Sequence, residues 1–243
     1  MMRHAIHLVT RLLIRIVLSC LALVALFAAG IYVYAVYVNP LPPRVLAAAA
    51  DRVKTFHIHE LSYNQIPVGF RKAIIATEDR RFAWDPGIDP VGIARAIYVD
   101  VRKGALLQGG STITQQLVDN TILNQNRTVT RKVLQVINAV GVYDTMSKKE
   151  VFTLYANMIY FGNGAYGLYN AAKTYFGVRP SLLNEGELAL LAGLPNAPSA
   201  YDPFTSLPLA RSRERVVLIN MVSDGILTQA RADAIYALPI HLR

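Results

Sequence analysis

Two patterns of hydrophobic and polar positions divide the chain. From Ile16 to Val38, 23 residues pass without a charge. At about 1.5 Å per residue, a helix of that length crosses a hydrocarbon layer roughly 30 Å thick. The pattern therefore predicts a transmembrane helix over 16–38 behind a short N-terminus, 1–15. Arg3, Arg11 and Arg15 precede the span and Tyr32, Tyr34 and Tyr37 lie towards its far end. The positive-inside bias then puts the N-terminus in the cytoplasm and the tyrosines at the opposite interface. A cleaved signal peptide is the rival reading, but its apolar core runs to only about 7–15 residues.

Beyond the span the pattern changes. "NPLPP" (39–43) reads as a stiff exit linker, opening a linker and lead-in segment over 39–60. Within it "VLAAAADRVK" has helical spacing and "TFHIHELSYNQIP" looks extended, with His57 and His59 on one face. No third ligand follows them, so they read as solvated strand residues and not as a metal site. From 61 to 243 the apolar positions recur at helical spacing: Phe70, Ala73, Ile74 and Thr77 share one face, and Val91, Ala94, Arg95 and Tyr98 begin another. Ser147 with Glu150 and Asn184 with Glu187 have the spacing of N-terminal capping boxes, and Gly225 marks a stop. A mostly α domain is expected.

Composition sharpens this in three places. Cys20 is the single cysteine and lies inside the span, so no disulfide or thiolate cluster is available. Setting Arg3, Arg11 and Arg15 aside from the 25 basic residues leaves 22 against 16 acidic ones, a surplus that suits an anionic partner or lipid headgroups, or serves solubility alone. Gly162, Gly164 and Gly167 spell G-x-G-x-x-G, with Glu185 and Glu187 about 20 residues on. The stretch before them has helical and not strand spacing, so the glycines read as a loop between helices, and no organic cofactor and no nucleic-acid partner is expected.

The candidate chemistry starts at "EDRRF". Glu78 and Asp79 fall at a helix end beside Arg80 and Arg81, where the plain reading is an exposed ion pair of Glu78 with Arg81. The residues downstream argue for more. The polar stretch "QGGSTITQQLVDN" (108–120) comes next, and then the cations Arg127, Arg131 and Lys132. A pyrophosphate suits such cations, because charge-assisted and bidentate bonds to phosphate oxygens are what arginine makes best.

"EDRRFAWDPGID", "QGGSTITQQLVDN", "RTVTRKVLQ", "LYANMIYFGNGAYGLYNAAKTYFG" and "LALLAGLPNAPSAYDP" resemble, in unbroken order from about Leu61 to Met221, the five signatures of the membrane-anchored peptidoglycan glycosyltransferases. These form the transglycosylase half of bifunctional penicillin-binding proteins. The resemblance implies a lysozyme-like helical head with a smaller membrane-proximal jaw lobe. It also implies polymerisation of lipid-linked disaccharide-pentapeptide by inverting transfer at the bacterial cytoplasmic membrane. Glu78 matches the general base. Gly109, Gly110, Ser111, Thr112, Thr114, Gln115 and Gln116 match the donor-site lining, and Asp79, Arg127, Arg131, Lys132 and Gln135 match further substrate-binding positions. The implied partners are the lipid-linked precursor, the nascent glycan chain, the bilayer and cell-wall synthesis proteins. No Ser-x-x-Lys or Lys-Thr-Gly triplet occurs in the chain, which implies the monofunctional type.

Four positions depart from the family pattern: Asp85 stands for a histidine, Asp119 for a lysine, Gln135 for a glutamate and Thr153 for a glutamate. Asp119 is the hardest to accommodate, since an anion towards a diphosphate repels it. In one account Asp119, with Asp85, holds a divalent cation such as Mg²⁺ that bridges to the diphosphate. In another, catalysis is lost and the domain is a tethered glycan-binding or scaffolding module. A lytic use of the same fold lacks support from the basic cluster. Tyr155, Asn157, Tyr160, Phe161, Tyr166, Tyr175 and Phe176 read as packing residues of the head. Ile97, Tyr98, Leu106 and Leu107 read as ordinary core.

Overall fold

The computed structural model of the protein describes residues 2–38, 41–103, 110–122 and 128–243. Among them the chain is helical, with one isolated antiparallel bridge between Tyr160 and Tyr166. Helix α1 (Met2–Val33) runs on into a π-helical turn, Tyr34–Val38. Its stretch Arg11–Val33 is long and apolar enough to cross a membrane. That window starts five residues before the predicted one, because a long arginine side chain can carry its charge away from an apolar face without ending the helix.

Helix α2 (Leu41–Thr55) begins inside the predicted linker. Pro42 and Pro43 fall in its first turn, where a helix needs no backbone N–H from them. Val45 and Ala49 are buried, and α2 packs on α5 (Ile113–Thr121), α6 (Val129–Thr145) and α7 (Lys148–Met158). The segment after it departs from the extended strand that the sequence predicts: Phe56 and His57 form a turn, with His57 at a left-handed φ of +48°, Tyr63–Gln65 is a 3-10 turn, and no strand pairs with it. Side-chain amides supply its hydrogen bonds instead. Asn157 accepts from the Leu61 amide and donates to its carbonyl, both at 2.9 Å. Asn170 serves the His59 amide and the His57 carbonyl, and the His59 ring stacks on Tyr169 at 3.8 Å.

The core is built around α9 (Glu185–Gly193), buried along almost its whole length from Gly186 to Gly193. A helix apolar on every side has to be enclosed, and α9 is flanked by α3 (Val68–Glu78) and α10 (Leu207–Ser223). Helix α3 turns Phe70, Ala73 and Ile74 inward, as its spacing predicts. Both expected capping boxes form, at Ser147 and at Asn184, and Gly225 adopts a left-handed φ of +68° just past α10. The glycine triplet is a loop between α7 and α8 (Leu168–Phe176), and a Cβ on Gly167 would fall 2.6 Å from the Asn157 carbonyl oxygen.

Helix α4 (Pro90–Lys103) contradicts the packing expectation. Val91, Ala94, Arg95 and Tyr98 share a face as predicted, but that face is exposed, with Tyr98 at 62%. Tyr98 is therefore not core. Leu106 and Leu107 lie outside the described residues, as does the Ile97 side chain.

Asn157→Ala leaves a buried N–H and C=O at Leu61 without partners, each costing about 1–3 kcal/mol. Differential scanning fluorimetry is expected to show Tm lower by several degrees; an unchanged Tm would mean that the segment after α2 is held by its packing alone.

Candidate active site

Glu78 is the last residue of α3, and its carboxylate turns inward, with 11% of the side chain exposed. Its Oε2 accepts a hydrogen bond from Gln116 Nε2 at 2.7 Å. The Gln116 amide is oriented at its other end by the Tyr155 hydroxyl, which donates to Oε1 at 3.4 Å. Arg213, on α10, holds its Nη2 3.8 Å from Glu78 Oε1, an ion pair too long to be a hydrogen bond. Oε1 thus receives no hydrogen bond among the described residues. Burial pushes the Glu78 carboxyl above its ordinary value, and the Gln116 bond and the Arg213 charge pull the other way. A carboxylate with raised proton affinity and one unoccupied lone-pair oxygen is equipped to take a proton.

The expected ion pair of Glu78 with Arg81 does not form. Arg81 grips Asp89 through two bonds of 2.9 and 2.6 Å, and Asp89 also accepts from the Gly92 amide in the first turn of α4. Arg80 pairs with Asp224 instead. Both arginines hold the helices around the base and leave the base itself alone.

Helix α5 carries the facing wall. Its N-terminus is a capping box of Thr112 and Gln115, and the Thr112 hydroxyl donates to the Gly87 carbonyl at 2.7 Å. Asp79 accepts from the Ile113 amide at 3.0 Å, which ties α5 to the end of α3. Burial, with Asp85 nearby, raises the Asp79 carboxyl to about 7. Asp79, Thr112, Thr114 and Gln115 are all buried. Thr112 Oγ1 and Gln115 Oε1 are spent on capping, whereas Asp79 Oδ1, Thr114 Oγ1 and Gln115 Nε2 have no hydrogen-bond partner among the described residues. Gly110, Ser111 and Gln116 remain at least partly accessible. Gly109 and Arg127 lie outside the described residues.

Three residues after Gln116, Asp119 projects towards α6. Its Oδ1 lies 2.9 Å from Arg131 Nη2, and its Oδ2 accepts from the buried Gln135 amide. Lys132 reaches the Ser111 hydroxyl at 3.0 Å, and burial pulls its ammonium below the ordinary value. Asp85 sits in a different environment. Its Oδ1 accepts from the Gly87 amide, and Lys148 Nζ contacts its carbonyl at 2.7 Å and its Oδ2 at 3.2 Å. The fit to a divalent cation is therefore poor. Each carboxylate already has a cationic partner of its own, and no group of three or more acidic, histidine or cysteine side chains is placed to hold a metal among the described residues.

A buried helix-end carboxylate, an α5 wall and a basic pair on α6 occupy the positions of the sequence signatures, and comparison with known proteins agrees. The profile of the transglycosylase family matches residues 46–222. The chain belongs to the transglycosylase family. It is 44% identical over 173 residues to penicillin-binding protein 1A of Escherichia coli, covering 71% of this chain and 20% of that protein. It is 42% identical over 190 residues to penicillin-binding protein 1A of Aquifex aeolicus, covering 78% and 26%. A transglycosylase homologue from Cupriavidus necator is 40% identical over 179 residues, covering 74% of this chain and 77% of its own length. The chain thus spans about a fifth to a quarter of these two penicillin-binding proteins.

Within a transglycosylase the departures fall into two kinds. Asp119 and Gln135 form one connected unit with Arg131, whereas Asp85 belongs with Lys148 and Thr153 bonds back to the Lys149 carbonyl of its own helix. Sequence reasoning missed Arg213 and Tyr155. Tyr155 is fully packed, as expected, yet its hydroxyl fixes Gln116. Arg213 sits far along the chain in an arginine-rich helix, "ARSRERVV", where nothing local separates it from Arg211 or Arg215.

Arg213→Gln removes a charge that favours ionised Glu78. The Glu78 proton affinity then rises further, so the acidic limb of a kcat/KM–pH profile moves to higher pH. A limb that stays in place, or moves to lower pH, overturns this role.

Proposed function

We propose that the protein is a membrane-anchored peptidoglycan glycosyltransferase that extends glycan strands from lipid-linked disaccharide-pentapeptide. What supports this most directly is the Glu78 carboxylate, buried, buttressed by Gln116 and Arg213, and left with one oxygen unbonded. Helix α1 would anchor the chain in the bacterial cytoplasmic membrane with its N-terminus inside, and the helical domain, about 61–243 with α2 packed against it, would work on the outer side.

In this reading, the Glu78 carboxylate accepts the proton of the acceptor sugar hydroxyl as the hydroxyl oxygen bonds to the donor's anomeric carbon. The bond from that carbon to the diphosphate oxygen breaks on the opposite face, so the configuration inverts. The lipid diphosphate leaves with the electron pair and needs no proton, which is why a single carboxyl group is enough and Gln135 is tolerable in place of an acid. Lys132 and Ser111 supply the anion contact nearest the described wall. Arg131 adds its charge through a guanidinium that Asp119 already orients, so Asp119 positions a cation and need not meet the phosphate.

Glu78→Gln is expected to lower polymerisation of lipid-linked substrate by about 10²–10⁴-fold. The same change should raise thermal stability at neutral pH. A carboxyl whose folded proton affinity is raised costs stability once the pH exceeds its ordinary value, and the neutral amide removes that cost. A gain of about 1 kcal/mol appears as Tm higher by about 2–4 °C. If the variant polymerises like the wild type while loss of the domain is felt in cells, the protein is a tethered scaffolding module instead.

Because Asp85 and Asp119 are each engaged by a cation, chelator is expected to leave the rate unchanged. Activity lost to chelator and restored by Mg²⁺ would return Asp119 to the role of metal ligand.

A further inference from the structure

Trp84 is the one tryptophan of the chain, and it stands 81% exposed in the loop between Asp79 and Asp89. An indole left in water forfeits one of the largest apolar burials any side chain offers. At a membrane–water boundary the same ring is favoured, with its apolar body in the headgroup layer and its N–H hydrated.

The surroundings of Trp84 locate such a boundary. The next residue, Asp85, holds Lys148 Nζ through its carbonyl and its carboxylate. That ammonium lies 4.9 Å from the centre of the Tyr143 ring, and Tyr143 is 40% exposed. Its neighbour Asp144 accepts a hydrogen bond from the Tyr32 hydroxyl at 3.1 Å. Tyr32 belongs to the last turn of α1, where the apolar window ends at Val33. Gly87 presses the loop onto the same end of α6: a Cβ there would fall 2.4 Å from the Ala139 carbonyl oxygen and 3.1 Å from Tyr143 Cβ. A short series of contacts therefore joins the Trp84 loop to the outer end of the apolar helix. The loop then leads into α4, whose exposed face interleaves Val91 and Tyr98 with Arg95 and Arg102. Apolar and aromatic side chains mixed with cations are the composition that an anionic headgroup layer attracts.

We infer that Trp84 is an interfacial anchor: its indole sits in the headgroup layer of the bilayer that α1 crosses and docks the loop after Glu78 against that surface. The inference rests on the anchored reading of α1 and is independent of whether Glu78 is active. Stacking on a glycan chain is the competing occupant of an exposed indole. The bilayer is favoured because the contacts through Asp85 and Gly87 run to the end of α1.

With no other tryptophan present, the emission of the full-length protein reports this side chain alone. The protein is reconstituted into vesicles of phosphatidylglycerol and phosphatidylethanolamine, and flotation shows whether it is inserted. Trp84 emission is expected to be blue-shifted, to lose at least about half its intensity when the lipids carry bromine near the headgroup end of their chains, and to resist iodide in the water. Protein that floats with the vesicles yet shows water-like emission, quenched by iodide and blind to bromine, overturns the anchor. So does emission that shifts only when a soluble glycan oligosaccharide is added, which assigns the indole to sugar stacking. Protein that fails to float removes the bilayer itself from the account, and with it this surface, whatever the polymerisation assay shows.

Discussion

The site depends on one costly arrangement, a carboxylate held almost wholly out of water with fewer hydrogen bonds than its charge demands. Water would satisfy both oxygens of Glu78; the fold satisfies one with Gln116 and offers the other only a distant guanidinium. Such a group persists only where the surrounding structure over-determines it. Much of the architecture can be understood as that over-determination. Helix α9 fills the core behind α3, the capped start of α5 fixes Gln116, and Tyr155 keeps the amide from flipping. Asp79 and Asp89 fasten the neighbouring helices so that no flanking charge collapses onto the base.

The second constraint is the sharing of α5 between two charge systems. One turn of this helix presents Gln116 to the base and the next presents Asp119 to the basic pair, with Asn120 bonding back to the Gln116 carbonyl. Side chains three residues apart lie on neighbouring faces of a helix, so the proton acceptor and the anion-binding cations are held in fixed register by one short rod. The exchange of charge at Asp119 and Gln135 is absorbed locally, because the carboxylate accepts from the amide and pairs with the guanidinium. The substitution changes how Arg131 is held more than whether a cation is present.

Much of this was legible in the chain. Helical periodicity placed α3 and its buried face, the two capping boxes formed where serine and asparagine stand three residues before glutamate, and the glycine triplet became a loop because helical spacing precedes it. Glu78 was legible through the company it keeps. What could not be read were the choices among similar partners. Arg81 prefers Asp89 to Glu78 because the loop folds Asp89 back into bidentate range, a tertiary fact with no local signal. Thr112 and Gln115 look like ligand contacts in sequence and act as caps, since the two uses draw on the same side-chain oxygens. The α4 stripe has core periodicity, and periodicity alone does not say what a face meets.

Only two residues separate the end of the π-helical turn at Val38 from the start of α2 at Leu41, and α2 is packed into the domain through Val45 and Ala49. At about 3.5 Å per residue such a join spans less than the diameter of a helix. On the anchored reading proposed above, so short a join would keep the domain close to the lipid, where a substrate carried on a membrane tail would arrive by two-dimensional diffusion.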